Sequence, residues 1–193
     1  MKSASLLPAA LEYSARQLGK RLLAGGVVAY PTEGVWGLGC DPWNEDAVGR
    51  ILTIKQRPLD KGLILIAADY EQLAPLLAPL SSDLIHRLTE YWPGPYTWVV
   101  PHNGSLPGWV TGQRDTIAVR VSGHPMARAL CRHAGIPLVS TSANRGGKPA
   151  IKDRLQVCLK LGRELDGIAP GKTFAGAQPS QIRDLLTGQV LRA

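Results

Sequence analysis

The amino-acid sequence predicts an α/β fold, an open mixed sheet covered by helices on at least one face. Three observations carry that reading. Stretches with apolar residues three and four positions apart alternate with short apolar or β-branched runs, the interleaving that a helix-covered sheet requires. Several of those runs, VVAYP and LILIAA among them, are apolar almost throughout rather than at alternate positions, as in strands buried on both faces. No internal repeat or linker divides the 193 residues, so one domain spanning 1–193 is expected.

Leu7, Leu11, Ala15, Leu18 and Leu22 form one apolar stripe on a first helix, which Gly25 and Gly26 end. VVAYP at 27–31 follows as a buried strand. The next stretch places Thr32, Glu33 and three glycines directly after that strand, where open α/β sheets put ligands and where glycine lets a backbone approach them closely. It matches neither G-x-x-x-x-G-K-[ST] nor G-x-G-x-x-G, so, taken alone, turn-forming glycines explain it better than a ligand loop does.

Asn44 suits an N-cap, and Glu45 and Asp46 suit the positive end of the helix that follows. Ala47, Val48, Ile51, Leu52 and Lys55 share a face up to the break at Pro58, which leaves Lys55 and Arg57 at the helix C-terminus, facing solvent. LILIAA at 63–68 is a buried strand, and 81–91 a helix with Leu84, Ile85, Leu88 and Tyr91 inward. WPGP forces a turn into YTWVVP, and NGSLPGWVTGQRD reads as the polar connection to the strand TIAVRV. Pro125 begins a helix that Gly135 terminates. PLVSTS is a strand running out into hydroxyl residues. The remainder reads as a helix near 153–161, weak strands near 167–169 and 180–185, and a final QVLR.

Composition narrows the function classes. The chain is 45% hydrophobic and 19% charged, ordinary for a folded globule. No apolar run approaches the roughly 18 residues needed to cross a bilayer, and Pro8 and Glu12 interrupt the N-terminal stretch before a secretory core could form, so a cytoplasmic protein without membrane contact is expected. Cys40, Cys131 and Cys158 are odd in number and lack metal-ligand spacing, which reads as three reduced thiols. A net charge of +7 favours polyanionic partners such as nucleotides or RNA.

Two further stretches can carry chemistry, to be read together with the one after the first strand. In KQRPLDKG, at 55–62, cations at a helix end complement the helix dipole. That explains charge at 55 but accounts less well for the cluster with Lys61. An Arg fork beside a compact Lys charge also suits polyphosphate oxygens. In VSTSAN, Ser140, Thr141, Ser142 and Asn144 either build side-chain turns or bind phosphate and ribose oxygens. His86, His102, His124 and His133 show neither metal-ligand spacing nor a triad and are given no role. The five tryptophans read as packing rather than as a base-stacking platform.

Taken in order, YPTEGVWGLGCDP, KQRPLDKGLILIAA, WPGPYTWVVP, AVRVSGHP, PLVSTSAN and PSQIRDLLTG resemble the YrdC-like threonylcarbamoyl-AMP synthases, in particular the short single-domain bacterial branch called TsaC. The likeness runs from about Ala15 to Arg192. It implies a twisted open mixed sheet with flanking helices around a basic concave site. It also implies a nucleotidyltransferase that makes L-threonylcarbamoyladenylate and pyrophosphate from L-threonine, bicarbonate or CO2, and ATP. Partner proteins of the same pathway would move the threonylcarbamoyl group to the adenosine beside the anticodon of tRNA, and a direct contact with tRNA or double-stranded RNA fits the charge.

Carried over residue by residue, the resemblance places Lys55, Arg57, Ser142 and Asn144 around ATP, together with Ser140 and Arg192, and makes Lys55 and Arg57 the catalytic pair. Thr32, Arg120 and Ser180 fall where the family holds threonine, Arg120 as the partner of its carboxylate. ATP enters as a substrate, with a magnesium ion bound through its phosphates and no dedicated metal cage. Gly34 stands where many relatives carry Thr, Ile66 where many carry His, and the second domain of the longer relatives is expected to be missing. The competing reading is an RNA-binding or ribosome-maturation module that uses the basic face. Carbamoyl transfer within a larger hydrogenase-maturation protein shares the fold, but no acylphosphatase or zinc-finger segment is present to support it.

Overall fold

A computed structural model describes residues 7–192; residues 1–6 and 193, included in the expected single-domain span, lie outside the described residues. The first helix, α1, runs Ala9–Leu23 and leads into β1 (Val28–Pro31) and β2 (Trp36–Gly39). After α2 (Glu45–Lys55) and β3 (Ile64–Ala67) come α3 (Ser82–Glu90), β4 (Tyr96–Pro101), the short α4 (Gly108–Thr111) and β5 (Thr116–Val121). Then follow α5 (Pro125–Ala134), β6 (Leu138–Ser142), α6 (Arg154–Leu161), β7 (Gly167–Ile168), β8 (Gln181–Asp184) and β9 (Val190–Arg192).

The local signals act where the sequence puts them. The Asn44 side chain accepts from the Ala47 amide at 2.9 Å and starts α2, and Gln56 closes it in the left-handed conformation at φ 52°. Pro125 occupies the first turn of α5, and Gly135 ends it at φ 70°. Leu7 precedes α1 but packs against the same core cluster as Leu11, Ala15, Leu18 and Leu22.

The strands form one mixed sheet in the order β7-β1-β2-β6-β3-β5-β4-β8-β9. Parallel pairs β1/β7, β3/β5 and β4/β8 are set among antiparallel ones. The glycine-rich stretch after β1 is not a loop, because Trp36–Gly39 returns as a strand antiparallel to β1 and pairs with β6 on its other side. Glycine disfavours strands by propensity, yet here the sheet demands it: a Cβ on Gly39 would come within 2.6 Å of the Val139 carbonyl. The supposed polar connection at 103–115 likewise contains α4, whose Val110 is fully buried.

Strand alternation divides the core between the two faces. Leu65, Ala67, Val119, Val139, Trp36 and Leu38 point to one face, under Ala47, Val48 and Ile51 of α2 and Val157 and Leu161 of α6. The opposite face carries Val28, Tyr30, Ile66 and Leu138, packed under α1 and α5. Those two helices cover only one end of it. In the register, Ile66 faces Leu138, and one step of two residues further Ile64 faces Ser140. There the helices stop and a cavity begins.

Candidate functional site

The uncovered end of that face is a cavity of about 540 Å³, within the ~300–1,000 Å³ typical of small-molecule sites. Its floor is a consequence of register. Ser140 lies opposite Ile64 and Ile64 opposite Ala118. Ala118 lies opposite Val99, while Thr97, on the same side of β4 as Val99, lies opposite Ile182 and Ile182 opposite Arg192. Two-residue alternation therefore brings Ser140, Ser142, Arg120 and Arg192 to one side from three strands, β6, β5 and β9, spread along the chain. All four line the cavity, joined by Thr32, Arg57 and Ser180.

Arg57 follows the left-handed Gln56 cap, which turns the chain away from α2. Its Nη2 donates to the carbonyls of Gly62 at 2.9 Å and Lys61 at 3.3 Å, and its buried Nε has no partner. Burial and the neighbouring Arg114 charge lower its pKa. A half-buried guanidinium with donors to spare in a cavity wall is suited to anionic oxygens.

Lys55 differs from expectation. It is only 5% exposed rather than solvent-facing, and it is not among the cavity-lining residues. Its Nζ reaches across to the end of β6, donating to the Ser142 carbonyl, to Asn144 O and Oδ1 at 3.1 Å each, and to Ser142 Oγ at 3.5 Å. Burial, reinforced by the Arg57 charge, brings its pKa down to about 8. The Ser142 hydroxyl donates to Asn144 Oδ1 at 2.6 Å, and the Asn144 amide donates to Lys148 O at 2.6 Å. Asn144 thus sits with Lys55 behind the wall, while Ser142 stands in it.

On the other side Thr32 donates through Oγ1 to Val35 O at 2.7 Å within the β1–β2 turn. Ser180 accepts from Thr97 Oγ1 at 3.0 Å, and Arg192 Nη2 donates to Ser180 O at 2.7 Å, pinning β9 to the strand before it. Arg120, 6% exposed, lies 3.3 Å from Glu33 Oε2. Gly34 and Ile66 fare differently: Ile66 is buried under α1 and α5, away from the cavity, and a Cβ on Gly34 would stand 2.1 Å from Gln178 O. The segment leading to Ser180 therefore occupies the space a Gly34 side chain would need.

Two cavity cations, Lys61 and Arg114, and the apolar Ile64, Ala118 and Ile182 had no assigned role in the sequence reading. Lys61 was visible beside Arg57, whereas Arg114 looked like any charge in a polar connection. Among the described residues no group of three metal-ligating side chains assembles, and no carboxylate lines the cavity. The donor set suits anions, and offers a divalent cation hydroxyls at most.

A family model named Sua5/YciO/YrdC and described as "Telomere recombination" matches residues 20–193. The chain belongs to the Sua5/YciO/YrdC family. Within it, a threonylcarbamoyl-AMP synthase of Pseudomonas putida KT2440 is 53% identical over 180 residues, covering 93% of this chain and 97% of the relative. P. abyssi Sua5 complexed with L-threonine superposes with a TM-score of 0.84 at 34% identity, over 90% of this chain and 51% of that one, so the chain spans about half the length of that Sua5. E. coli YciO gives a TM-score of 0.84 at 27% identity, covering 94% of this chain and 89% of its own. The twisted open sheet with flanking helices is the architecture of these Sua5/YciO/YrdC structures.

Proposed function

We propose that the chain is a threonylcarbamoyl-AMP synthase, forming L-threonylcarbamoyladenylate and pyrophosphate from L-threonine, bicarbonate or CO2, and ATP. The single observation that carries this reading is the convergence of Arg57, Arg120, Arg192 and two β6 hydroxyls on one cavity, in a chain 53% identical to a protein of that name.

In the reaction, the threonine amine adds to CO2 and loses a proton, giving a carbamate. A carbamate oxygen then bonds to the α-phosphorus of ATP, the bond from that phosphorus to the bridging oxygen breaks, and pyrophosphate leaves with the electron pair. Negative charge gathers on oxygens throughout, so the demand is for fixed positive charge and donors rather than an acid–base pair. Arg57 and Arg192 supply charge toward the triphosphate, Ser140 and Ser142 supply hydroxyls, and Arg120 takes the threonine carboxylate in the bidentate manner of guanidinium. Thr32 and Ser180 flank the amino acid. Lys55 and Asn144 act from behind the wall by fixing the β6 tip that carries Ser142.

Magnesium would travel on the triphosphate itself, held by phosphate oxygens. We place the single domain in the cytoplasm, handing its adenylate to partner proteins that modify tRNA. No described helix is long and apolar enough to cross a membrane. The test is pyrophosphate release, which should need threonine and bicarbonate together. Release with ATP alone, or none with all three substrates, overturns the proposal.

A further inference from the structure

Glu33 is buried and had no role in the sequence reading, and the chemistry above does not use it. It stands in the β1–β2 turn beside Thr32, and both its ends are fixed. Its main-chain carbonyl accepts from the Phe174 amide at 2.8 Å. Its Oε1 accepts from Gly123 N at 2.7 Å and from Ser122 Oγ at 3.2 Å, in the turn that follows β5. Oε2 is the exception: it is buried, has no hydrogen-bond partner, and lies 3.3 Å from Arg120 Nη1.

Arg120 is the complementary case. Its side chain is 7% exposed, its buried Nε has no partner, and Glu33 is its one ion-pair partner among the described residues. A guanidinium carries five donors in a rigid fork. Leaving them unused in a buried wall is costly unless charge compensates. Glu33 compensates the charge while its Oε2 makes no hydrogen bond to the guanidinium, so the terminal Nη donors remain for a ligand in the cavity that Arg120 lines.

We infer that Glu33 is a positioning residue: a fixed carboxylate that seats the Arg120 guanidinium so that its free donors meet the carboxylate of the amino-acid substrate. The inference rests on the assignment of Arg120 to that carboxylate. It places the determinant of amino-acid affinity partly outside the cavity, in a residue that touches no substrate.

The test is a double-mutant cycle read by calorimetric binding of L-threonine and, separately, of ATP. Glu33→Gln keeps the shape but sets an N–H donor against either Gly123 or Arg120, so threonine should bind about tenfold more weakly with ATP binding unchanged. In the Arg120→Ala background, Glu33→Gln should cause no further loss, because its effect runs through the guanidinium. The inference alone falls if Arg120→Ala weakens threonine binding and Glu33→Gln adds its own equal loss. It also falls if Glu33→Gln binds threonine as tightly as wild type, or weakens threonine and ATP alike as a loosened fold would. If Arg120→Ala leaves threonine affinity intact, the carboxylate assignment falls and the inference with it.

Discussion

Lys55 and Ser142, 87 positions apart, are joined by hydrogen bonds from one ammonium to the serine's carbonyl and hydroxyl oxygens. The last residue of α2 thereby holds the last residue of β6, and the Asn144 oxygens complete the set of acceptors. A lysine buried this way is a tie between two chain segments as well as a charge near the cavity.

Removing the tie should cost stability. Lys55→Met leaves the Ser142 and Asn144 oxygens short of a donor, and the unfolding free energy in urea should fall by about 1–3 kcal/mol. Pyrophosphate release should fall with it, as the β6 tip loosens. Lost activity with an unchanged urea midpoint would mean that Lys55 acts on substrate directly.

The same lysine makes stability depend on pH. Its pKa in the fold, about 8, lies below the ordinary lysine value, so between those two pH values the unfolded chain holds more protons and the contribution of Lys55 to stability rises with pH. Below about 8 both states are protonated and the contribution is flat. The difference in unfolding free energy between wild type and Lys55→Met should therefore move in favour of wild type from about pH 7 to about pH 10.

Arg57 should separate activity from stability. Its bonds to the Lys61 and Gly62 carbonyls lie on a half-exposed turn, so Arg57→Ala should lower stability by no more than about 1 kcal/mol. If Arg57 faces the reacting phosphates as proposed, loss of its fixed charge should lower adenylate formation about a hundredfold. Steady-state pyrophosphate assays beside urea titrations check both.

Gly34 tests the packing beside the proposed threonine subsite. A Cβ there meets Gln178 O at 2.1 Å and Pro179 N at 2.8 Å, contacts that only backbone movement relieves. Gly34→Ala should destabilise by about 1–3 kcal/mol and, by shifting Ser180, raise the threonine KM more than the ATP KM. Equal rises would place the effect elsewhere.

The sequence by itself determined most of the secondary structure. Helices and buried strands announce themselves through spacing, and Asn44, Pro125 and Gly135 mark ends through local chemistry that needs no distant partner. It also brought the phosphate and amino-acid candidates into view through ordered motifs, and seven of them, Thr32, Arg57, Arg120, Ser140, Ser142, Ser180 and Arg192, line one cavity. Tertiary structure decided the rest. β2 was hidden because glycine disfavours strands, and it is the close approach of β6 and of the buried Tyr30 ring that calls for it at Gly39. Lys55 looked like a solvated helix end until the β6 tip folded over it, and Arg114 and Glu33 gained meaning from neighbours far along the chain. Spacing encodes what a residue does to its own helix or strand, whereas burial and ion pairing depend on which distant segment register and packing bring alongside.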